Sequence, residues 1–338
     1  MQRTRMGKHY MTASTSIKRI GVLTSGGDSP GMNACIRAVV RSALYYDLEV
    51  FGIRRGYAGM IEGDISQMNS RSVSGIIQRG GTILKSARSE EFKTPEGRVK
   101  AASNLSRFGI QALAVIGGDG SFRGAMELEK EHGIKAIGAP GTIDNDLYGT
   151  DFTIGYDTAT NTAVEAIDKI KDTADAHDRL FFIEVMGRDA GFIALRSGIS
   201  CGAEAILIPE TVTTMDQLIE TLRKGRPSKN SSIVVVAEGD EEGGAFEVAR
   251  KVNEKFSQYE TKVTILGHLQ RGGSPSSLDR VLASRLGLAV VEALRDGKSG
   301  MMAGQIHKDI VLTPFEKATK RGPRLDNELV RVANIISI

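Results

Sequence analysis

The sequence predicts an α/β protein of two doubly wound, Rossmann-like lobes with the functional site in the cleft between them. Three observations carry that prediction. Short, β-branched apolar runs recur along the chain, as expected of parallel strands buried on both faces. Two of these runs, ending at Thr24 and Ile116, lead straight into glycine turns that open helical patterns. Finally, 338 residues suffice for two ordinary α/β domains or one large one.

In chain order, 19–24 is a first buried strand, followed by the turn SGGDSPGMN at 25–33 and a helical pattern over 34–45. A glycine turn at a helix start leaves backbone N–H groups free for phosphate oxygens. Arg37 and Arg41 lie four apart on that helix and so share a face. Residues 72–78 read as a short helix, and the segment RGGTILKSAR at 79–88 follows. A second strand, turn and helix start occupies 112–131, with Asp119 inside the glycine turn GGDGS at 117–121. A carboxylate there repels phosphates unless a cation sits between them, which points to a metal–nucleotide site. The strand at 134–139 then delivers PGTIDND at 140–146. Two carboxylates and a hydroxyl at a strand's carboxyl end suit proton abstraction beside a phosphate.

A crossing between lobes is expected at 155–157, and a helix over 158–176. The strand at 180–185 ends in MGRDAG at 186–191. Strands at 205–209 and 232–238 flank a helix at 215–223, and a strand at 263–266 starts after Lys262. The segment GHLQRGGSP at 267–275 precedes a helix over 277–294 that returns to the first lobe. Residues 329–338 form a short apolar strand or helix. Gly297-Lys298-Ser299 is no P-loop, for it follows a helix and lacks the upstream glycine.

Composition is that of a soluble globular protein with net charge +3 and no long basic run, which argues against a nucleic-acid surface. Cys35 and Cys201, far apart and without metal spacing, fit a reducing, cytoplasmic setting. No apolar run reaches membrane-spanning length, and residues 1–16 read as a disordered leader without a signal-peptide core.

Together, the loops at 24–34, 79–88, 117–121, 140–146, 186–191 and 267–275 resemble those of bacterial-type ATP-dependent 6-phosphofructokinases, from about Lys18 onward. The resemblance implies the phosphofructokinase fold, with ATP on a larger lobe formed by 17–154 and 267–318. Fructose 6-phosphate would bind a smaller lobe formed by 155–266 and 319–338. It implies transfer of the γ-phosphoryl group of MgATP to the sugar's 1-hydroxyl, with Asp144 as general base and Mg²⁺ on Asp119. Gly27, Arg88, Ser89, Gly118, Asp119, Gly120 and Ser121 would contact ATP. Thr142, Asp144, Asp146, Arg179, Met186, Gly187, Arg188, Glu238, Lys262, His268 and Arg271 would serve the sugar phosphate and the transferring group. Of these, Thr142, Asp144, Arg88 and Arg188 would act in catalysis. Arg179 and Lys262 would reach a neighbouring subunit of a homotetramer. Arg37, Arg41, Lys171 and Glu204 match an effector site for ADP or phosphoenolpyruvate.

Several positions depart from that pattern. Ser70 and Lys171 stand where relatives usually carry arginine, the lysine-rich loop near position 229 is altered, and Ser89 replaces an aromatic residue. Lys262 also replaces an arginine, keeping the charge and losing the bidentate fork. Relatives that use pyrophosphate typically carry aspartate at the position of Gly120 and lysine at that of Gly141, so glycine at both favours ATP. Kinases that share only GGDG lack the other loops, and a non-catalytic nucleotide sensor would be expected to have lost Asp119 or Asp144.

Overall fold

The computed structural model describes residues 17–176, 179–224, 232–255, 260–320 and 325–336. The leader expected over 1–16 and the loop near position 229 lie outside the described residues.

The first half of the chain runs β1 (Arg19–Thr24), α1 (Met32–Tyr45), β2 (Glu49–Ile53), α2 (Gly56–Glu62), β3 (Ile65–Met68) and α3 (Pro95–Arg107). Next come β4 (Ala112–Gly117), α4 (Asp119–His132), β5 (Lys135–Thr142), β6 (Ile154–Gly155) and α5 (Tyr156–Asp175). The second half runs β7 (Arg179–Val185), α6 (Phe192–Cys201), β8 (Ala205–Leu207), α7 (Met215–Lys224), β9 (Ser232–Ala237), α8 (Ala245–Lys255) and β10 (Glu260–Ile265). A 3₁₀ turn at Gly267–Arg271 leads into α9 (Ser277–Arg295), β11 (Met301–Ile306), β12 (Asp309–Pro314), α10 (Phe315–Lys320) and α11 (Asn327–Ile336).

The larger sheet has the order β12-β11-β5-β4-β1-β2-β3, with β6 attached to β5. Its five central strands, β11-β5-β4-β1-β2, pair in parallel, while β3 and β12 are antiparallel edges. Because β2 lies on one side of β1 and β4 on the other, a topological switch point opens between the carboxyl ends of β1 and β4. The two glycine turns leave from those two ends. The smaller sheet, β10-β7-β9-β8, is wholly parallel.

Apolar packing closes both faces of each sheet. Leu113, Ala114, Val115 and Ile116 of β4 are fully buried, which explains their unbroken apolar run. Helix α9 returns to the larger sheet and lies against α1. Gly287 permits that approach, since a Cβ there would stand 2.6 Å from the Cβ of Ala38. Helix α11 packs on α6 of the smaller sheet, so residues 329–336 are helical.

The structure corrects the helix expected over 72–78, which is a run of turns. Asn69 Oδ1 accepts from the amides of Arg71 (2.9 Å) and Ser72 (3.2 Å), competing with helical bonds, and Gly75 then takes φ 65°. Helix α4 starts at Asp119, three residues before the apolar pattern begins, and β5 runs on through Thr142. At 154–157 the expected crossing is a two-residue strand followed directly by α5.

Candidate active site

The carboxyl ends of β1, β4, β5, β7 and β9 converge on one cleft of about 840 Å³. Its larger-sheet wall holds Gly26 and Gly27 after β1, Arg88 and Ser89, Gly118–Ser121 at the start of α4, Thr142 at the end of β5 and Asp144 just beyond it. Arg188 and Glu238 line it from the smaller sheet, and Arg271 from the 3₁₀ turn.

Local backbone geometry fixes several of these groups. Asp119 is the first residue of α4 after the Gly118 N-cap, where a carboxylate complements the helix dipole. Its Oδ1 accepts from Arg188 at 3.1 Å, and Arg123, one turn on, lies 3.5 Å from its Oδ2. Arg188 itself sits at φ 58° after β7. Glu238 Oε1 holds that loop by accepting from the amides of Arg188 (2.7 Å) and Gly187 (3.3 Å). The amide of Met186 donates to Gln270 Oε1 at 2.8 Å. Arg271 donates to the Asp28 carbonyl at 3.1 Å and packs so closely on Gly27 that a Cβ there would lie 2.5 Å from it.

Asp144 is 8 % exposed; its amide donates to Thr142 Oγ1 at 3.2 Å. Burial raises its pKa above the ordinary carboxylate value, opposed by Arg271, while the charge of Glu238 raises it further. Asp146 is pushed up to about 6, chiefly by burial, with the charges of Asp144 and Asp119 adding to it. Two buried oxygens of the cleft lining, Asp144 Oδ1 and Ser121 Oγ, lack a hydrogen-bond partner among the described residues.

Not every expected site residue reaches this cleft. Arg179 and Lys262 lie on β7 and the edge strand β10, where both pair with Glu260 (2.9 and 2.5 Å). His268 is exposed on the 3₁₀ turn, outside the cleft lining. Of the effector candidates, Arg37 and Arg41 lie on α1 in the larger lobe. The other two lie in the smaller lobe. Lys171 donates to the Cys201 carbonyl at 2.9 Å, and buried Glu204 accepts from the Ile233 amide.

Sequence reasoning missed a second group of lining residues. Tyr57 stacks on Phe92 with ring centroids 3.9 Å apart, and its hydroxyl donates to the Ser121 carbonyl at 2.6 Å. Arg98 grips Glu131 with two 2.6 Å bonds and donates to the carbonyls of Phe92 (3.1 Å) and Lys93 (2.8 Å). Arg123 and Glu127 extend this wall along α4. One local signal was available: Thr94 and Pro95 are the N-cap and first residue of α3, which carries Arg98.

Two parallel sheets whose strand ends meet around a charged cleft, with glycine turns at a switch point, define the chain as an α/β enzyme of the nucleotide-site class. Among known proteins, the phosphofructokinase family model matches residues 19–294. The chain belongs to the phosphofructokinase family. It is 57% identical to ATP-dependent 6-phosphofructokinase 2 of Bacteroides thetaiotaomicron, over 96% of this chain and 99% of that protein. It is 56% identical to ATP-dependent 6-phosphofructokinase 1 of Thermus thermophilus, over 95% of this chain and all of that one. The Saccharomyces cerevisiae phosphofructokinase structure superposes with a TM-score of 0.84 at 36% identity, covering 94% of this chain and 46% of the yeast chain. The pyrophosphate-dependent enzyme of Marinobacter aquaeolei shares the fold at 23% identity and a TM-score of 0.81, over 92% of this chain and 86% of that one.

Proposed function

We propose that the protein transfers the γ-phosphoryl group of ATP to the 1-hydroxyl of fructose 6-phosphate. The carrying observation is Asp144. Its Oδ1 is buried without a partner in a cleft flanked by glycine turns and arginines. That is an acceptor placed for a substrate hydroxyl proton. As the proton leaves, the alkoxide attacks the γ-phosphorus in line and ADP departs. Thr142 orients the base loop, and Arg88 and Arg188 offset charge on the phosphoryl oxygens. Gly27, Ser89, Gly118, Gly120 and Ser121 frame the nucleotide on the larger lobe. Met186, Gly187 and Glu238 frame the sugar phosphate from the smaller lobe and Arg271 from the 3₁₀ turn, which also carries His268. Asp146 orients the acceptor.

The residues also fit Mg²⁺. Asp119 opens α4 toward the cleft, and its charge and that of Asp144 add to the negative potential felt by Asp146. No cage of three or more metal-binding side chains exists among the described residues. That suits an ion held by one or two carboxylates, nucleotide oxygens and water. When bound, it would neutralise charge on the β- and γ-oxygens.

ATP is favoured over pyrophosphate by Gly120 and Gly141. A Cβ at Gly120 meets nothing within 4 Å, so a side chain there would occupy the cleft itself. At Gly141 it would meet Ile116 and Met32 at 3.0 and 3.1 Å.

Arg179 and Lys262, on the outer edge of the smaller sheet, would complete the sugar-phosphate site of a neighbouring subunit in a homotetramer. Arg37, Arg41, Lys171 and Glu204 are then proposed to form an ADP or phosphoenolpyruvate site between subunits. Among the described residues no helix is long and apolar enough to cross a membrane, and we assign the enzyme to the cytoplasm.

The deciding assay measures phosphorylation of fructose 6-phosphate with Mg²⁺ and either ATP or pyrophosphate, for the native protein and Asp144→Ser. Transfer from ATP alone, reduced at least ~10²-fold in the variant, is expected for a general base. Transfer from pyrophosphate would refute the donor assignment, and no transfer from either would refute the reaction.

A further inference from the structure

The carboxylate of Asp279 is completely buried, far along the sequence from the residues that contact it. Its Oδ1 accepts from the Gly155 amide at 2.7 Å. Its Oδ2 accepts from the Thr158 amide at 2.8 Å and from the Thr158 hydroxyl. All three donors belong to the opening turn of α5, whose own N-cap, Gly155, has no side chain to offer. Gly155 sits at φ 105°, and a Cβ there would stand 2.5 Å from the Cβ of Ser29. The cap must therefore come from elsewhere in the fold.

The arrangement is reciprocal. Asp279 lies in the first turn of α9, and its amide donates to the N-cap hydroxyl of Ser276 at 3.2 Å. That hydroxyl donates in turn to Asp157 Oδ2 at 2.6 Å, and the Ser276 amide donates to Thr158 Oγ1 at 2.9 Å. The two helices begin at one polar joint and cap each other. Two helix N-termini also direct their dipoles at it, which suits an ionised carboxylate.

What hangs on this joint gives it a role in the reaction. Gly155 pairs in register with Thr142, and the Thr153 hydroxyl donates to the Thr142 carbonyl at 2.7 Å. Thr142 Oγ1 accepts from the Asp144 amide. Hydrogen bonds and the β5–β6 pairing thus connect Asp279, through Gly155, Thr153 and Thr142, to the base loop. On the other side, Ser276 follows the segment that carries Gln270 and Arg271. Gln270, wholly buried, holds the loop bearing Arg188 through Met186.

We propose that Asp279, with Thr158 and Ser276, is a positioning residue for phosphoryl transfer. It fixes the Asp144 loop against the segment that delivers Arg271 and, through Gln270, holds the loop bearing Arg188. This rests on the phosphofructokinase reading above. An ordinary helix cap would affect folding stability alone. A positioning residue changes turnover while leaving the nucleotide wall, built on β1, β4 and the 86–89 segment, able to bind.

Three variants test this. Asp279→Asn turns one acceptor oxygen into a donor facing donors. Thr158→Val removes the shared hydroxyl at constant shape, and Thr158→Ser restores it. We expect kcat to fall about 10- to 100-fold in the first two, the scale of a misplaced reacting group, with the Kd of a fluorescent ATP analogue changed less than about threefold. Thr158→Ser should recover most of kcat. Amide hydrogen exchange over residues 141–158 should accelerate in the first two variants and return to native rates in Thr158→Ser.

Unchanged kcat with a lowered melting temperature would reduce the joint to a structural cap and overturn the proposal. So would equal losses of kcat and nucleotide affinity. If Asp279→Asn does not fold, the Thr158 pair decides alone. The native enzyme's assay judges the reaction separately, and the exchange rates judge whether the joint holds the base loop even if the substrate differs.

Discussion

Asp144 carries a pH signature. A base must be ionised, and burial holds this carboxyl above its ordinary range, so kcat should fall as pH drops through that raised value. The acid limb should therefore lie above that of an exposed aspartate. Glu238 contributes to the rise by its negative charge, so Glu238→Gln should move the limb to lower pH. A kcat profile through the acid range, for the native protein and Glu238→Gln, reads this; an unmoved limb would assign it to another group. At this scale the sequence was informative where chemistry sits in one loop. Asp119 lies between two glycines after a buried strand, and Asp144 follows another such strand three residues after Gly141, so their place was legible. Tyr57, Phe92 and Arg98 were not, because the cleft collects them from separate elements and no spacing along the chain marks their convergence.

Helix α4 joins packing to the site. Its first residue is Asp119, and three residues later Phe122 is fully buried, stacked on Phe315 of α10 at 4.9 Å between centroids. Phe122→Ala should cost about 3–5 kcal/mol of stability by denaturant titration. With α4 loosened at its first turn, nucleotide affinity should weaken as well. An unaltered unfolding midpoint would show that α10 does not anchor this end of α4. Among elements, the buried strands β1, β4 and β5 were legible as unbroken apolar runs. The hairpin of β11 and β12 was not, since β12 is an edge strand with mostly half-exposed residues. The false helix at 72–78 has the same kind of origin: local polar side chains offered the backbone other partners.

For the whole molecule, the position of Lys262 on the outer edge of the smaller sheet makes a prediction about assembly. If Lys262 serves a neighbour, Lys262→Ala and Asp144→Ser should each be nearly inactive alone. Mixed assemblies of the two should regain activity, because some clefts then receive both native groups. Sedimentation should report four chains; a fully active monomer would refute the shared site. The two-lobed architecture itself was legible from length and from alternating strand and helix patterns. The mutual capping of α5 and α9 was not, because Asp279 in the sequence is an unremarkable helix-start residue separated from its donors by more than a hundred positions.

The bond from Arg188 to Asp119 is a contact between the two lobes at the open side of the cleft, apart from the buried joint of α5 and α9. Arg188 is 55% exposed and Asp119 27%, so the contact faces water on both sides. Such a pair is worth only ~0–1 kcal/mol and is screened once the Debye length shrinks toward its own dimension. The free protein should therefore respond to ionic strength as a soft clasp does. Its radius of gyration in X-ray scattering should rise between low and molar salt, and the nucleotide-loaded protein should show no such change. Releasing this clasp then costs little free energy while the joint of α5 and α9 still holds the lobes together, and nucleotide entry should be limited by diffusion into the cleft rather than by breaking this contact.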